Sequence, residues 1–202
     1  MISSLFPTER ERWKAEIMTG DEQTTRGLDE RPVVTGERAD WLGVLAKNRH
    51  FLCFTARGLT DEQARRRTTA SELCLGGLIK HVTEAERAWG DFILNGPSSM
   101  PDFTEMTDAD RAHRADGFRL LPEETLAGVL ADYAEVARRT DELVASLSDL
   151  DATWPLPKAP WNEPGAQWSV RQVLMHIVSE TAQHAGHADI IRESLDGAKS
   201  MG

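Results

Sequence analysis

Apolar residues recur with helical spacing in four long stretches of this chain. The first is expected from about Thr35 to Ala56, with Trp41, Leu42, Leu45, Phe51 and Leu52 on its apolar side. Thr35 is placed to cap it, and Gly58 to end it. A short helical turn follows at Thr60–Ala64, opened by Thr60 and Gln63 as a capping box. The second long helix is expected from Ser71 to Asn95; its stripe is Leu75, Leu78, Ile79, Val82, Ala85, Trp89, Phe92 and Ile93. Asn95-Gly96-Pro97 breaks it. Residues 96–121 read as a polar connection with one short helix near Asp108–Ala115. The third long helix is expected to begin at Pro122, a favoured first-turn residue, and carries Leu126, Val129, Leu130, Tyr133, Val136, Ala137, Leu143 and Leu147. A ring-rich connection, Asp149–Gln167, leads to Ser169, which caps a fourth helix reaching about Leu195 and Gly197.

No alternating stretch bounded by hairpin turns appears, and no fixed-period repeat. The pattern therefore predicts an all-α fold, a four-helix bundle over residues 35–197 with two long connections. The connection after the second long helix is long enough to cross the end of the bundle, so neighbours in sequence need not be neighbours in space. Residues 1–34 read as an N-terminal extension without a core of its own, and residues 198–202 as a C-terminal tail.

The fourth helix holds the chemistry. Val170, Val173, Ile177, Glu180, His184, His187, Ile191 and Leu195 follow one another in steps of three or four and so share one face. The apolar ends of that stripe point it inward, yet three ionisable groups sit in its middle. A charge buried there costs several kcal/mol, roughly, unless it is paired or bound to a metal. His81 interrupts the second helix in the same way, between Leu78 and Ala85. Bundle interiors are where such folds assemble metal sites from facing helices. His81, Glu180 and His184 are thus the candidate ligands of a divalent metal, with an open position left for a reactant. Zn²⁺ suits them, as do Ni²⁺, Fe²⁺ and Mn²⁺. His187 stands as an additional ligand or as a group supporting one. The plainer reading is a set of hydrogen-bonded core residues. His176 falls on the flank of the stripe, and His50 and His113 read as surface or boundary residues. Trp89 and Trp168 read as packing residues.

Composition narrows the partners. The chain has 202 residues and a formal net charge of -10, which disfavours nucleic acid and anionic membrane. Arg65-Arg66-Arg67 is the one tight cationic run and reads as a solvated helix end. No apolar run approaches the roughly 20 residues of a membrane span, and the first residues lack a signal-peptide core. Cys53 and Cys74 sit among apolar residues at no metal-binding spacing and read as free thiols. A cytoplasmic, reducing location is expected.

The segments Leu78–Trp89 and Glu180–Glu193, with the turn Gly58–Gln63, resemble the DinB-like superfamily of metal-binding bundles. The likeness runs from about Thr35 to Gly197, and is greatest to the branch related to mycothiol-dependent maleylpyruvate isomerase and the mycothiol transferases. It implies a metal triad of one His on the second helix and an i,i+4 pair on the last. Many members have His at both of those last positions; Glu180 here matches the isomerase-like branch and favours His81, Glu180 and His184 over a set using His187. It implies zinc, and a metal-dependent transferase or isomerase in which a low-molecular-weight thiol such as mycothiol, or bacillithiol or glutathione in its place, attacks an electrophilic small molecule or adds reversibly to a conjugated double bond. It further implies cationic partners for that thiol at the bundle mouth, for which Arg49 and Arg192 are placed, although each also suits a salt bridge. Within the same superfamily the alternative is a metal-binding stress protein without turnover, and homodimers occur.

Overall fold

The computed structural model describes residues 34–200; residues 1–33 of the expected extension and residues 201–202 lie outside the described residues. The chain order is α1 (Glu37–Thr55), α2 (Asp61–Arg65), α3 (Leu75–Asn95), a 3₁₀ turn (Gly96–Ser99), α4 (Asp108–Asp116), α5 (Leu126–Ser146), β1 (Thr153–Pro155), β2 (Gln167–Ser169) and α6 (Val170–Asp196). The fold is all-α. Its long helices are α1, α3, α5 and α6. Helix α1 packs on α6 and α5, and α3 packs on α5 and α6, so α1 and α3 occupy opposite corners. Helices α3 and α5 are neighbours. They run parallel, with Lys80 paired to Glu124 and Arg87 to Asp132, so the connection between them returns along the bundle to the starting end of α3 and builds a wall on the way.

The core divides into two apolar clusters. One gathers Leu52, Leu78, Ile79, Tyr133 and Ala188; the other gathers Leu45, Phe92, Val144, Leu174 and Ile177. Each buried Leu or Ile contributes roughly 1.5–3 kcal/mol relative to exposure. Along every long helix the residues between these clusters include buried polar ones: Arg49 on α1, Thr83 and Glu86 on α3, Thr140 on α5, Thr181 and His184 on α6. The bundle thus has a polar middle layer between two apolar ends.

Local chemistry moves two expected helix starts. Helix α3 begins at Leu75 rather than Ser71, because the Thr69 and Ser71 hydroxyls accept from the amides two residues ahead and hold a turn. Helix α5 begins at Leu126 rather than Pro122. Its cap is Thr125, whose hydroxyl accepts from the Gly128 amide, while the Glu124 carboxylate accepts from the Leu121 amide and holds the preceding turn.

The two-stranded antiparallel ribbon β1–β2 departs from the strand-free expectation. Its strands have only three residues each and one contains Pro155, too short for any alternation to register. Trp154 of β1 donates from Nε1 to the Ile93 carbonyl at 3.1 Å. Its ring lies on Gly96, whose φ of 67° ends α3 and whose position a Cβ could not share. Strand β2 runs straight into the Ser169–Gln172 capping box that starts α6.

Candidate metal centre

His81 on α3 and Glu180 and His184 on α6 converge. One ligand atom from each lies within 4.8 Å of the others. Nε2 of His184 is 3.3 Å from Oε2 of Glu180, and Nε2 of His81 is 3.9 Å from the same oxygen. The two imidazole edges are perpendicular, with centroids 4.9 Å apart. The His184 and His81 rings beside it hold the Glu180 carboxyl well below the usual carboxylate range, although burial opposes them. An ionised oxygen and two imidazole nitrogens facing one point form a donor set that fits Zn²⁺ or a similar divalent ion.

Other residues orient these donors. Nδ1 of His184 points away from Glu180 and meets Nδ1 of His187 at 3.4 Å. With the proton on His184 Nδ1 and His187 accepting, the Nε2 lone pair is free to ligate. His187 thus stands behind a donor rather than among the three converging atoms. The His81 ring stacks on Phe118 at 3.9 Å between centroids. Phe118 comes from the connection after α4, and its backbone crosses α3 where a Cβ on Gly77 would collide with the Phe118 carbonyl oxygen. Phe118 escaped sequence reasoning; the Gly76-Gly77 pair inside a helix was its one available signal.

A cavity of about 660 Å³ opens beside the cluster, with His81 and Glu180 in its lining. His176 lines it too, closer to the centre than its flank position suggested, with Nε2 3.9 Å from Oε1 of Glu180. Burial lowers the His176 pKa, and the Glu180 charge opposes that shift. Trp89 and Trp168 stack on each other at 5.1 Å and both pack in the core and line the cavity. From the ring-rich connection, Trp161 reaches the cavity, whereas Trp154 is committed to the end of α3. The two connections are tied where the Phe103 amide donates to the Lys158 carbonyl at 2.9 Å.

Arg49 and Arg192, the expected cofactor partners, are both buried and do not line this cavity. Arg49 donates to Glu86 at 2.5 and 3.2 Å and to Asp141 at 2.7 Å. Burial works against its charge, and the bonds to Glu86 and Asp141 outweigh that and raise its pKa. Arg192 donates to the Thr55 and Arg57 carbonyls at 2.6 and 2.8 Å and to Asp196, fastening α6 to the end of α1. His50 and His113 are exposed. Cys53 is half-buried and Cys74 buried, both free; burial pushes the Cys53 thiol up to about 11.

A family model described as Mycothiol-S-transferase matches residues 40–197. The chain belongs to the mycothiol S-transferase family. The match spans α1 to the end of α6, so it includes every residue of the converging cluster and both connections that wall the cavity. Nothing among curated proteins matches the chain. Among the described residues no helix is long and apolar enough to cross a membrane.

Proposed function

We propose that this protein transfers mycothiol, or a closely related thiol, to an electrophilic small molecule, with a divalent metal held by His81, Glu180 and His184. The observation that carries this is the setting of the cluster: three metal-suited donors converge, and two of them, His81 and Glu180, line a cavity large enough for a thiol and a second reactant. Bound there, zinc supplies the Lewis acidity that favours a thiolate over a thiol at neutral pH.

The chain's own residues do the rest. His187 keeps the His184 Nε2 lone pair turned toward Glu180, and Phe118 keeps the His81 ring in plane. The indoles of Trp89 and Trp168 exclude water from one side of the cavity, and the tied connections close another. The sulfur forms a bond to the electrophilic carbon, and the leaving group departs with its bonding electrons while the thiol proton passes to solvent. No protein cysteine takes part, in keeping with the raised pKa of Cys53. Arg49 and Arg192 act as internal fasteners of the bundle.

Thiol consumption with a chlorinated electrophile, measured with and without chelator, tests this reading. Turnover that chelator abolishes, and that His184→Ala abolishes, is the expected result. Equal rates for the wild type and His184→Ala refute catalysis at this centre, and leave a metal-binding protein without turnover.

A further inference from the structure

We infer that α4 is a gate: it melts and re-forms beside the cavity while the four long helices stay folded, and its opening admits reactants. This depends on neither the metal nor the thiol-transfer reading. Helix α4 lies in the segment that runs from Phe103 to Phe118. Both of those rings line the cavity, and so does Arg114 in the last turn of α4. The segment is anchored at its two ends. At the first, the Phe103 amide donates to the Lys158 carbonyl at 2.9 Å, and the Lys158 ammonium lies 3.5 Å from the Asp102 carboxylate. At the second, Lys80 Nζ donates to the Asp116 carbonyl at 3.3 Å, Phe118 stacks on His81, and Gly117 and Leu120 are buried.

Between the anchors the segment is held only by itself. No residue of α4 is buried, and Thr107–Ala115 are all exposed. Among the described residues, Thr104–Ala115 form no hydrogen bond or ion pair with any residue outside 102–118. The helix rests on its Thr107–Asp110 capping box and on the exposed pair Arg111–Asp108 at 3.4 Å. An isolated helix shorter than about 12–15 residues is marginal in water, and α4 has nine. Exposed on all sides, it gains little from packing. Its tie back to the first anchor is the Arg114 guanidinium, 5.3 Å from the Phe103 ring centroid, a weak contact at an exposed site. Few buried contacts and solvent-facing backbone bonds mark a unit that opens alone. Helix α3 is the opposite case, with Leu78, Ile79, Val82 and Phe92 buried, so the opening does not spread to it. The cavity wall therefore has a fixed part and a moving part. Gly117 and Phe118 stay with α3 and keep supporting His81, whereas Arg114 leaves with α4.

Hydrogen exchange of the full chain, resolved by peptide, tests the opening. The hydrogen-bonded amides of α4 are expected to exchange at least about 100-fold faster than those in the middle of α3. Thr107→Ala removes the cap at an exposed position outside the cavity lining. It is expected to speed α4 exchange about five-fold and to leave α3 and α6 unchanged. Maleimide labelling of Ala88→Cys, a lining position, tests access; peptide mass separates this thiol from Cys53 and Cys74. The labelling rate is expected to rise by the same factor of about five when Thr107→Ala is added. Protection of α4 equal to that of α3 overturns the inference. So does a labelling rate that stays constant while α4 exchange speeds up, because reactants then enter by another route.

Discussion

Helix α3 contributes to two polar groups in the middle layer of the bundle, and they are built on opposite principles. Glu86 faces Arg49, which also bonds Asp141. That group contains its own counter-charge, Glu86 is 1% exposed, and every strong donor has an acceptor. His81 faces Glu180 and His184, and there the excess is of lone pairs. No arginine or lysine approaches this second group among the ion pairs of the described residues, and it opens onto a cavity. A buried charge with its partner in place is a fastener. On the proposed reading, a set of convergent lone pairs beside a cavity is a seat for a cation supplied from outside.

Removing charge from each group sharpens the contrast. Arg49→Leu strands Glu86 in the interior, and breaking such a pair costs roughly 3–5 kcal/mol. Denaturant unfolding should show that loss, while the folded fraction keeps its metal. His184→Ala should reverse the pattern. Partners standing behind ligands are worth 10–100-fold in metal affinity, so losing a ligand should cost at least about 100-fold by competition with a chelator. Stability of the metal-free protein should change far less than in Arg49→Leu. Gly77→Ala connects the two effects. Its methyl collides with the Phe118 backbone, so stability should fall by about 1–3 kcal/mol and metal affinity should fall with it as the support of His81 moves. His187→Ala is the smallest test: affinity should drop about ten-fold with no change in metal-free stability. An unchanged affinity there would remove His187 from behind His184.

The bundle and the cluster were legible for the same reason. Periods of three and four assign each residue of a long helix to a face, so Glu180, His184 and His81 stood out as polar interruptions of inward stripes. What one helix cannot reveal is its partner. Arg49 looked available for a cofactor because Glu86 and Asp141 come from α3 and α5. Phe118, Phe103 and Arg114 belong to a polar connection without periodicity, and only the crossing at Gly77 and the tie to Lys158 bring that connection to the site. The ribbon was hidden by its length. Its strands are held by Trp154 on the end of α3 and by pairing to β2, contacts with no local signature.

A crystal structure of the purified protein with an anomalous signal at a metal edge tests the central claim most directly. One peak per chain is predicted between α3 and α6, in contact with Nε2 of His81, Oε2 of Glu180 and Nε2 of His184. Density showing the same three side chains ordered around water, with the metal absent after loading or bound elsewhere, would contradict it.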